Sequence, residues 1–403
     1  MPKWLYSAGY TGGIVQAISL TWYYRPQGYS NVKTSESHYE IESGETYILS
    51  NLWVRVTANT VTADSTLTSR KNRGNGNQTI TIGDSATGTF EDTTNTDTIV
   101  ATDEFDSMLV TGGTGTALTL TIVSMIVECN NNSMILGNDG IGDQGPGVTA
   151  YNPIGGRGRE STTEADAEYK FRTETVLSNL RCYVSYNSIT AESLMKTRIN
   201  NGDGSQILTI PASTSGEFED VTNSDIIIPG DDVCTELETG ATGSTIYPRG
   251  TTVRSRSIGR QMILAYVTAV AVGAGISHFE GVEGGLPASS TTETKARLLT
   301  RVDFIAGHAF INVTQNDLND VARFVLRKND ADSSIVLTIA ATATGQFEDI
   351  VEWVEYDEAD TIDWNTDISA AGSGTITYRA LGFEYRPKRI PRGATNFQVP
   401  AIV

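Results

Sequence analysis

The sequence predicts an all-β protein made of three tandem antiparallel β-sandwiches of jelly-roll kind. Three observations carry that prediction. The motif Gly-x-Phe-Glu-Asp occurs as Gly88 to Asp92, Gly216 to Asp220 and Gly345 to Asp349, so that Phe90, Phe218 and Phe347 stand 128 and 129 residues apart. Self-similarity at a fixed long period marks one structural unit used repeatedly. Within a period, short apolar runs alternate with polar residues, as in Ile80-Thr81-Ile82 and Leu118-Thr119-Leu120-Thr121-Ile122, which is the two-residue rhythm of strands with one buried face. Finally, only 39% of residues are hydrophobic, Gly numbers 39, and no helical period appears. That is the texture of a turn-rich β-protein.

The repeat keeps its register between motifs. An Arg-x-Asn recurs at Arg70/Asn72, Arg198/Asn200 and Arg327/Asn329 with the same two offsets. A turn at Thr111-Gly112-Gly113-Thr114-Gly115-Thr116 returns at Thr239 to Ser244 and, with extra residues, at Ala371 to Thr375. Ser133-Met134-Ile135-Leu136 matches Gln261-Met262-Ile263-Leu264, and Gly147 to Tyr151 matches both Ser19 to Tyr23 and Gly275 to Phe279. The pattern fills the period and leaves no length for a flexible linker. The expected units are therefore 1–132, 133–260 and 261–385, followed by an arm over 386–403.

In the second unit the strands are expected at Leu180 to Tyr186, Leu194 to Ile199, Gln206 to Ile210, around Phe218, at Ile226 to Ile228 and at Val233 to Leu237. Seven to ten such strands in about 128 residues fit a two-sheet sandwich. The most apolar stretch, Met262 to Ile276, is shorter than the roughly 20 residues a membrane-spanning helix needs and is broken by Gly273 and Gly275. It reads as buried strands, and no membrane partner is expected.

Charge narrows the partners. With a formal net charge of −19, a phosphate-backbone partner is disfavoured, because such binding runs on Lys and Arg; no nucleic acid is expected. The residues Met1 to Tyr10 contain no apolar core of signal-peptide length. Cys129, Cys182 and Cys234 have no C-x-x-C neighbour and read as reduced core residues.

Nothing in the motifs points to catalysis, a cofactor or a metal. Adjacent residues of a strand face opposite sides, so Glu91 and Asp92 do not address one substrate, as a carboxylate pair must, unless a bulge intervenes. The same holds for Glu219 with Asp220 and Glu348 with Asp349. The signature is read instead as a buried Phe, a solvated Glu and an Asp that caps the following turn. Asn200-Asn201-Gly202-Asp203-Gly204 and Asn329-Asp330-Ala331-Asp332 offer oxygens like part of a calcium loop, but no copy supplies the distal bidentate Glu. They read as hairpin turns. His38, His278 and His308 fall at unmatched phases of the repeat, and no phosphate-binding, zinc-protease or nucleophile-elbow pattern appears.

Two segments have the residue types of interfaces. Trp22-Tyr23-Tyr24-Arg25 near the start and Arg386, Lys388, Arg389, Arg392 and Phe397 near the end combine aromatic anchors with guanidinium and ammonium groups. They are the candidate partner-binding residues. Pro387 and Pro391 argue against a central strand there, so the arm from Arg386 onward is expected to leave the third sandwich and grip a neighbouring chain or copy.

Arg70-Lys71-Asn72, Asn77 to Ile82, Thr87 to Asn95 and Thr111 to Thr116 together resemble a β-sandwich repeat of virion structural proteins of tailed bacteriophages, over all three copies. The resemblance implies a head-decoration or minor capsid protein, assembled in a host cytoplasm into the virion, whose partners are the major capsid protein or other virion proteins, with self-association possible. A second class remains open: a glycan-binding adhesin or a tail or fibre receptor-binding component, for which Tyr23, Tyr151 and Phe279 recur at one phase. The three copies form either a row or a closed triangle; the aromatic start and apolar end, neither resembling a polar cap, favour the triangle.

Overall fold

The computed structural model describes residues 3–27, 34–129, 131–138, 142–156, 160–257, 259–266, 270–282 and 291–388. Three pairs of antiparallel sheets are drawn from residues 3–129, 133–257 and 261–387. Each pair contains eight principal strands. Counted in chain order, one sheet runs first, eighth, third, sixth, and the other second, seventh, fourth, fifth; a two-residue strand between the second and third also joins the seventh. Two sheets wired in this order are a jelly roll. The apolar stretch at the start of the third copy forms Gln261–Tyr266 and Val270–Gly273, both paired with the eighth strand.

Four of the expected strands of the second copy correspond to Thr175–Ile189, Ser193–Ile199, Gly202–Ile210 and Asp232–Glu238. The runs at Phe218 and at Ile226, however, belong to one sixth strand, Gly216–Ile227. A bulge unites them. On the neighbouring third strand Leu180 pairs with Asp220 and Ser178 with Ser224, so Val221, Thr222 and Asn223 lie opposite Asn179 alone. Asn179 takes a left-handed φ of 53°, as do Asn51 at 50° and His308 at 46° at the same phase of their copies. Two asparagines fit there, since short polar side chains tolerate that region best.

The signature residues sit on this bulge. Phe90, Phe218 and Phe347 occupy equivalent places, opposite Val54, Cys182 and Ile311. They are half-buried against the core rather than fully buried as expected. The cause is topological: the sixth strand is the edge of its sheet, so the ring is covered from one side only. Asp92 is buried and accepts hydrogen bonds from the backbone N–H groups of Thr79, Thr94 and Asn95. Burial raises its pKa, but those bonds and the Asn95 side chain outweigh it and hold the carboxyl down at about 2. Asp220 and Asp349 cap the same bulge through Asn223 and Glu352 N–H.

The Arg-x-Asn motif is equally local. Asn72 and Arg73, Asn200 and Asn201, and Asn329 and Asp330 all have positive φ, the signature of a type I′ turn joining the fourth and fifth strands. Asn72 donates to Asp103 at 2.6 Å and accepts from Glu104 N–H at 2.9 Å; Asn200 and Asn329 repeat both bonds with Asp231/Asp232 and Asp360/Thr361. The carboxylate of Asp203, the calcium-like oxygen of the sequence reading, faces Lys196 and Arg198.

Between the sheets of the first two copies lies a buried polar triad. Ser69 and Gln78 donate to Asp97 at 2.6 and 3.1 Å, and Gln78 accepts from Leu52 N–H. Thr197, Gln206, Asp225 and Leu180 repeat the arrangement. A Cβ on Gly76 or Gly204 would lie within about 3.0 Å of that carboxylate. The third copy replaces the triad with Leu326, Ile335 and Val354 and carries Ser333 in place of the glycine. Swapping all partners for apolar groups avoids the cost of a half-satisfied network. Asp97→Ala should therefore cost roughly 1–3 kcal/mol by stranding Ser69 and Gln78. The triple variant Ser69→Leu, Gln78→Ile, Asp97→Val should recover most of that loss, and denaturant unfolding of the two variants decides it.

Candidate functional site

One cluster recurs in each copy. The loop between the second and third strands carries a short 3-10 turn, Glu36–His38, Glu164–Asp166 or Glu293–Lys295. Its first glutamate is gripped by the motif arginine: Arg70 Nε to Glu36 at 2.8 Å, Arg198 Nε to Glu164 at 2.8 Å, and Arg327 Nε to Glu293 at 2.7 Å. Each arginine also reaches across its hairpin to Asn75, Asp203 or Asp332. The loop is thus a strap clamped onto its own sandwich.

Beneath each arginine the seventh strand presents Asp106, Cys234 or Asp363, exposed by 0%, 0% and 1%. Burial, reinforced by Glu293, pushes Asp363 up to about 8, and burial pushes Asp106 well above the usual carboxylate range. Cys234 is raised by burial too. A cysteine at the matching place agrees with a position that wants a small neutral group. Among the described residues no three His, Cys, Asp or Glu side chains gather as a metal-ligating set. Tyr23 and Tyr151 are half-buried at the phase where Phe279 lies under the Arg327 guanidinium, 5.7 Å from it.

The straps of the first two copies meet the third strand of the next copy, and a third seam joins the third copy to the first. Between the first and second copies, Ser37 Oγ lies 3.3 Å from Tyr183 Oη, and Arg181 inserts between Glu42, Glu104 and Glu217 at 3.8, 2.9 and 2.5 Å. Between the second and third, Ala165 C=O accepts from Asn312 Nδ2 at 2.6 Å, Tyr169 packs edge-on to Phe310, and Arg172 pairs with Glu348. Between the third and first, Arg301 pairs with Glu91, Tyr385 Oη donates to Lys3 C=O at 3.1 Å, and Trp4 lies 5.6 Å from the Tyr385 ring.

These seams use equivalent positions. Ser37 and Ala165 share one phase of the repeat, as do Tyr183 and Asn312, Arg172 and Arg301, and Glu348 and Glu91. The contact that joins the second copy to the third is therefore made again from the third to the first, and the three copies close into a ring rather than a row. Head-to-tail contacts of this kind end in a ring when the rotation closes.

The centre is formed by the first strands. Each is an edge of its sheet, yet all six residues of Ser133–Asn138 are buried. The N–H of Ile135, on the strand's unpaired side, donates to Tyr6 Oη of the first copy at 2.7 Å. Trp4, Met134 and Met262 belong to one continuous buried cluster that runs through all three copies.

The interface residues expected from sequence are partly spent inside the chain. Trp22 is half-buried against the core and Tyr24 is buried. Arg25 donates to the carbonyls of Asn138, His38 and Arg249, bracing the first copy on the second. A Cβ at Gly250, where φ is 137°, would displace that guanidinium from its carbonyls. At the other end Arg386 and Pro387 do not leave the sandwich: they extend the eighth strand, opposite Ile305 and Phe304. Pro387 is tolerated because the first strand, on the other side, reaches only Tyr385. Arg386 lies over Trp353, and Lys388 pairs with Glu355 and Asp357. Arg389, Arg392 and Phe397 lie outside the described residues. Sequence reasoning missed Arg172, Arg181 and Arg301; the shared phase of Arg172 and Arg301 was the available signal.

No protein family and no curated protein matches the chain. Among solved structures it is similar to a chain from "The Triple Jelly Roll Fold and Turret Assembly in an Archaeal Virus", 14% identical over 95% of this chain and 91% of that one, with a TM-score of 0.19. It is also similar to a chain from the atomic structure of Sulfolobus Turreted Icosahedral Virus, 14% identical over 96% and 97%, with a TM-score of 0.22. Both belong to archaeal viruses rather than to tailed bacteriophages. The jelly-roll assignment rests on the sheet order of the chain itself.

Two outcomes follow from these seams. Arg181→Met keeps the bulk but leaves three carboxylates facing one another, and should destabilise the protein by about 3 kcal/mol, the low end for a broken buried pair because Glu42 and Glu217 keep some solvent; thermal unfolding measures it. Asp363 stays protonated in the folded protein up to about 8, whereas the unfolded chain ionises it near 4. Stability should thus fall as pH rises between those values. Asp363→Asn should flatten that slope, so that its denaturant midpoint gains on that of the unsubstituted protein more at pH 8 than at pH 5.

Proposed function

We propose that this protein is a non-enzymatic structural subunit of a virion, in which one chain stands in for a trimer and decorates or reinforces a capsid through protein–protein contacts. The observation that carries the reading is the closed ring of three jelly rolls, in which each seam shares a matching pair of positions with another seam. Jelly rolls are a recurrent fold of capsid proteins, and a ring with approximate three-fold symmetry fits a three-fold or quasi-three-fold place on a shell. The signature carboxylates support a non-catalytic role: Asp92 and Asp220 are locked into their bulges, while Glu91 and Glu348 neutralise arginines of the adjoining copy.

The glycan-binding reading draws less support. Sugar-binding faces stack an open aromatic ring on the ligand, whereas the aromatic phase Tyr23, Tyr151 and Phe279 is occupied against the strap and its arginine.

Mass spectrometry of purified particles is the direct test. The protein should co-purify with heads at a fixed ratio to the major shell protein, one chain per three-fold position; absence from particles, or a variable trace amount, sinks the reading. Glycosidase, esterase and peptidase assays should give only background. An activity abolished by Glu219→Gln would contradict it. Small-angle scattering of the isolated chain should show a compact particle and not a rod three domains long.

A further inference from the structure

The three straps rest on different supports. Each clamping arginine stands directly across the sheet from a buried residue of the seventh strand: Arg70 from Asp106, Arg198 from Cys234 and Arg327 from Asp363. Side chains in that relation are within reach of each other, and an arginine facing an aspartate ordinarily pairs with it. Arg70 and Arg327 reach instead for the strap, to Glu36 and Glu293. Neither carboxyl oxygen of Asp106, nor Oδ1 of Asp363, has a hydrogen-bond partner among the described residues. A buried carboxyl without donors is tolerated only in its neutral form. A proton therefore keeps each aspartate from competing for its arginine.

The groups around the two aspartates differ. Asp363 is faced by Glu293 and Arg297 of the strap, Asp330 of the hairpin, Arg327 of the fourth strand, which Asp332 also holds, and Tyr356 of the sixth. Asp106 is faced by Glu36 and Glu40 of the strap, Arg70 of the fourth strand, Glu104 of its own strand and Tyr23 of the second. Arginines offset carboxylates around Asp363, whereas carboxylates prevail around Asp106, so Asp363 gives up its proton first. Burial, with Glu293, sets that step at about 8. Once ionised, the carboxylate repels Glu293 and attracts Arg327, and in a site shielded from water both forces are stronger than at the surface.

We propose that the third strap is a proton-operated latch: when Asp363 releases its proton to solvent, Arg327 exchanges Glu293 for Asp363, and the ring loosens at the seam between the third and first copies. That seam is the one not bridged by the continuous chain. The loop that Arg327 clamps also carries Arg301, whose partner is Glu91 of the first copy, so freeing the strap weakens the ion pair of the seam itself. Asp106 arms the first strap in the same way at higher pH. The second strap has no such trigger, because Cys234 stands where the aspartates do. Burial, with Glu164 and Glu168 of the strap, holds its thiol well above the ordinary range against the pull of Arg198, and Glu236 of its own strand adds to that. Glu168, pushed up to about 7 by burial and by Asp232, has already ionised where the latch responds. The latch concerns how the chain closes on itself and does not depend on the virion reading.

Hydrogen exchange on the full chain tests the latch, with rates expressed as protection factors so that base catalysis of exchange itself cancels. From about pH 7.5 to about pH 9, either side of the Asp363 step, peptides around Glu293 and Arg301 should lose protection at least several-fold. The strands of the third sandwich and the strap around Glu164 should keep theirs. Asp363→Asn preserves the shape and cannot ionise, so it should abolish the loss. Cys234→Asp should confer the response on the second strap. No loss in the third strap, an equal loss in all three, or a loss that survives Asp363→Asn overturns the proposal. A second strap that stays unresponsive in folded Cys234→Asp overturns it too; should that variant not fold, the Asp363→Asn comparison decides alone.

Discussion

The edge strand that opens each sandwich is the constraint on which the rest depends. A free edge presents unpaired N–H and C=O groups, and proteins either cover such edges or suffer association through them. Here the first strand pairs with the eighth on one side only, yet Ser133–Asn138 is buried throughout and Ile135 N–H is capped by Tyr6 of another copy. A single sandwich cannot satisfy that arrangement. A row would satisfy it for some copies and leave an end copy with an apolar edge in water. Closing the ring brings Trp4, Met134 and Met262, one residue from each first strand, into one core.

The clamped strap makes that closure specific. Its grip by Arg70, Arg198 or Arg327 fixes where the next copy's third strand lands, and the bulge sets which residues of that strand project into the seam. With the frame held constant, side chains at equivalent positions have diverged. The first seam uses a buried arginine among carboxylates, the second an aromatic pair with an Arg–Glu bridge, the third an Arg–Glu bridge beside a cavity. A homotrimer cannot do this, because one residue must serve three identical seams. Different chemistries also reject wrong pairings among copies, since Arg181 has no counterpart in the first or third copy: Trp53 and Phe310 stand there.

Much of this fold was legible in the sequence because the information is local and periodic. Offsets of 128 and 129 exposed the unit, two-residue alternation exposed strands, and the Asn-, Asp- and Gly-rich turns exposed the hairpins. What escaped was non-local. The sixth strand reads as two runs, since a bulge is specified jointly by Asn179 on one strand and Asp220 on its neighbour. Trp22 and Tyr24 have the composition of surface anchors, and only the tertiary fold turns them inward. Arg386 and Pro387 look like a departing arm, because proline normally ends a strand, and the missing neighbour beyond Tyr385 that admits it has no sequence signature. The seams pair residues more than seventy positions apart, and beyond the Arg–Glu pair that two of them share their identities differ, so the repeat that reveals the fold conceals most of its contacts.

Fusion of three copies into one chain also changes what each seam must contribute. A linker of a few residues holds its neighbours at high effective concentration, so the two seams bridged by the chain are assisted. The third has no such tether and must close by its own contacts. The first and second copies retain Asp97 and Asp225 at the centre of a polar triad, while the third has replaced it with Leu326, Ile335 and Val354, an apolar core in the copy that supplies half of the unassisted seam. The same copy stacks Phe304 between Tyr356 and Tyr385, and Tyr385 in turn touches Trp4 and Lys3. Aromatic stacking carries large buried area at small cost in side-chain freedom. Stacked aromatic packing therefore adjoins the seam where the chain gives no help, and a ring that must close without a third tether draws on it there.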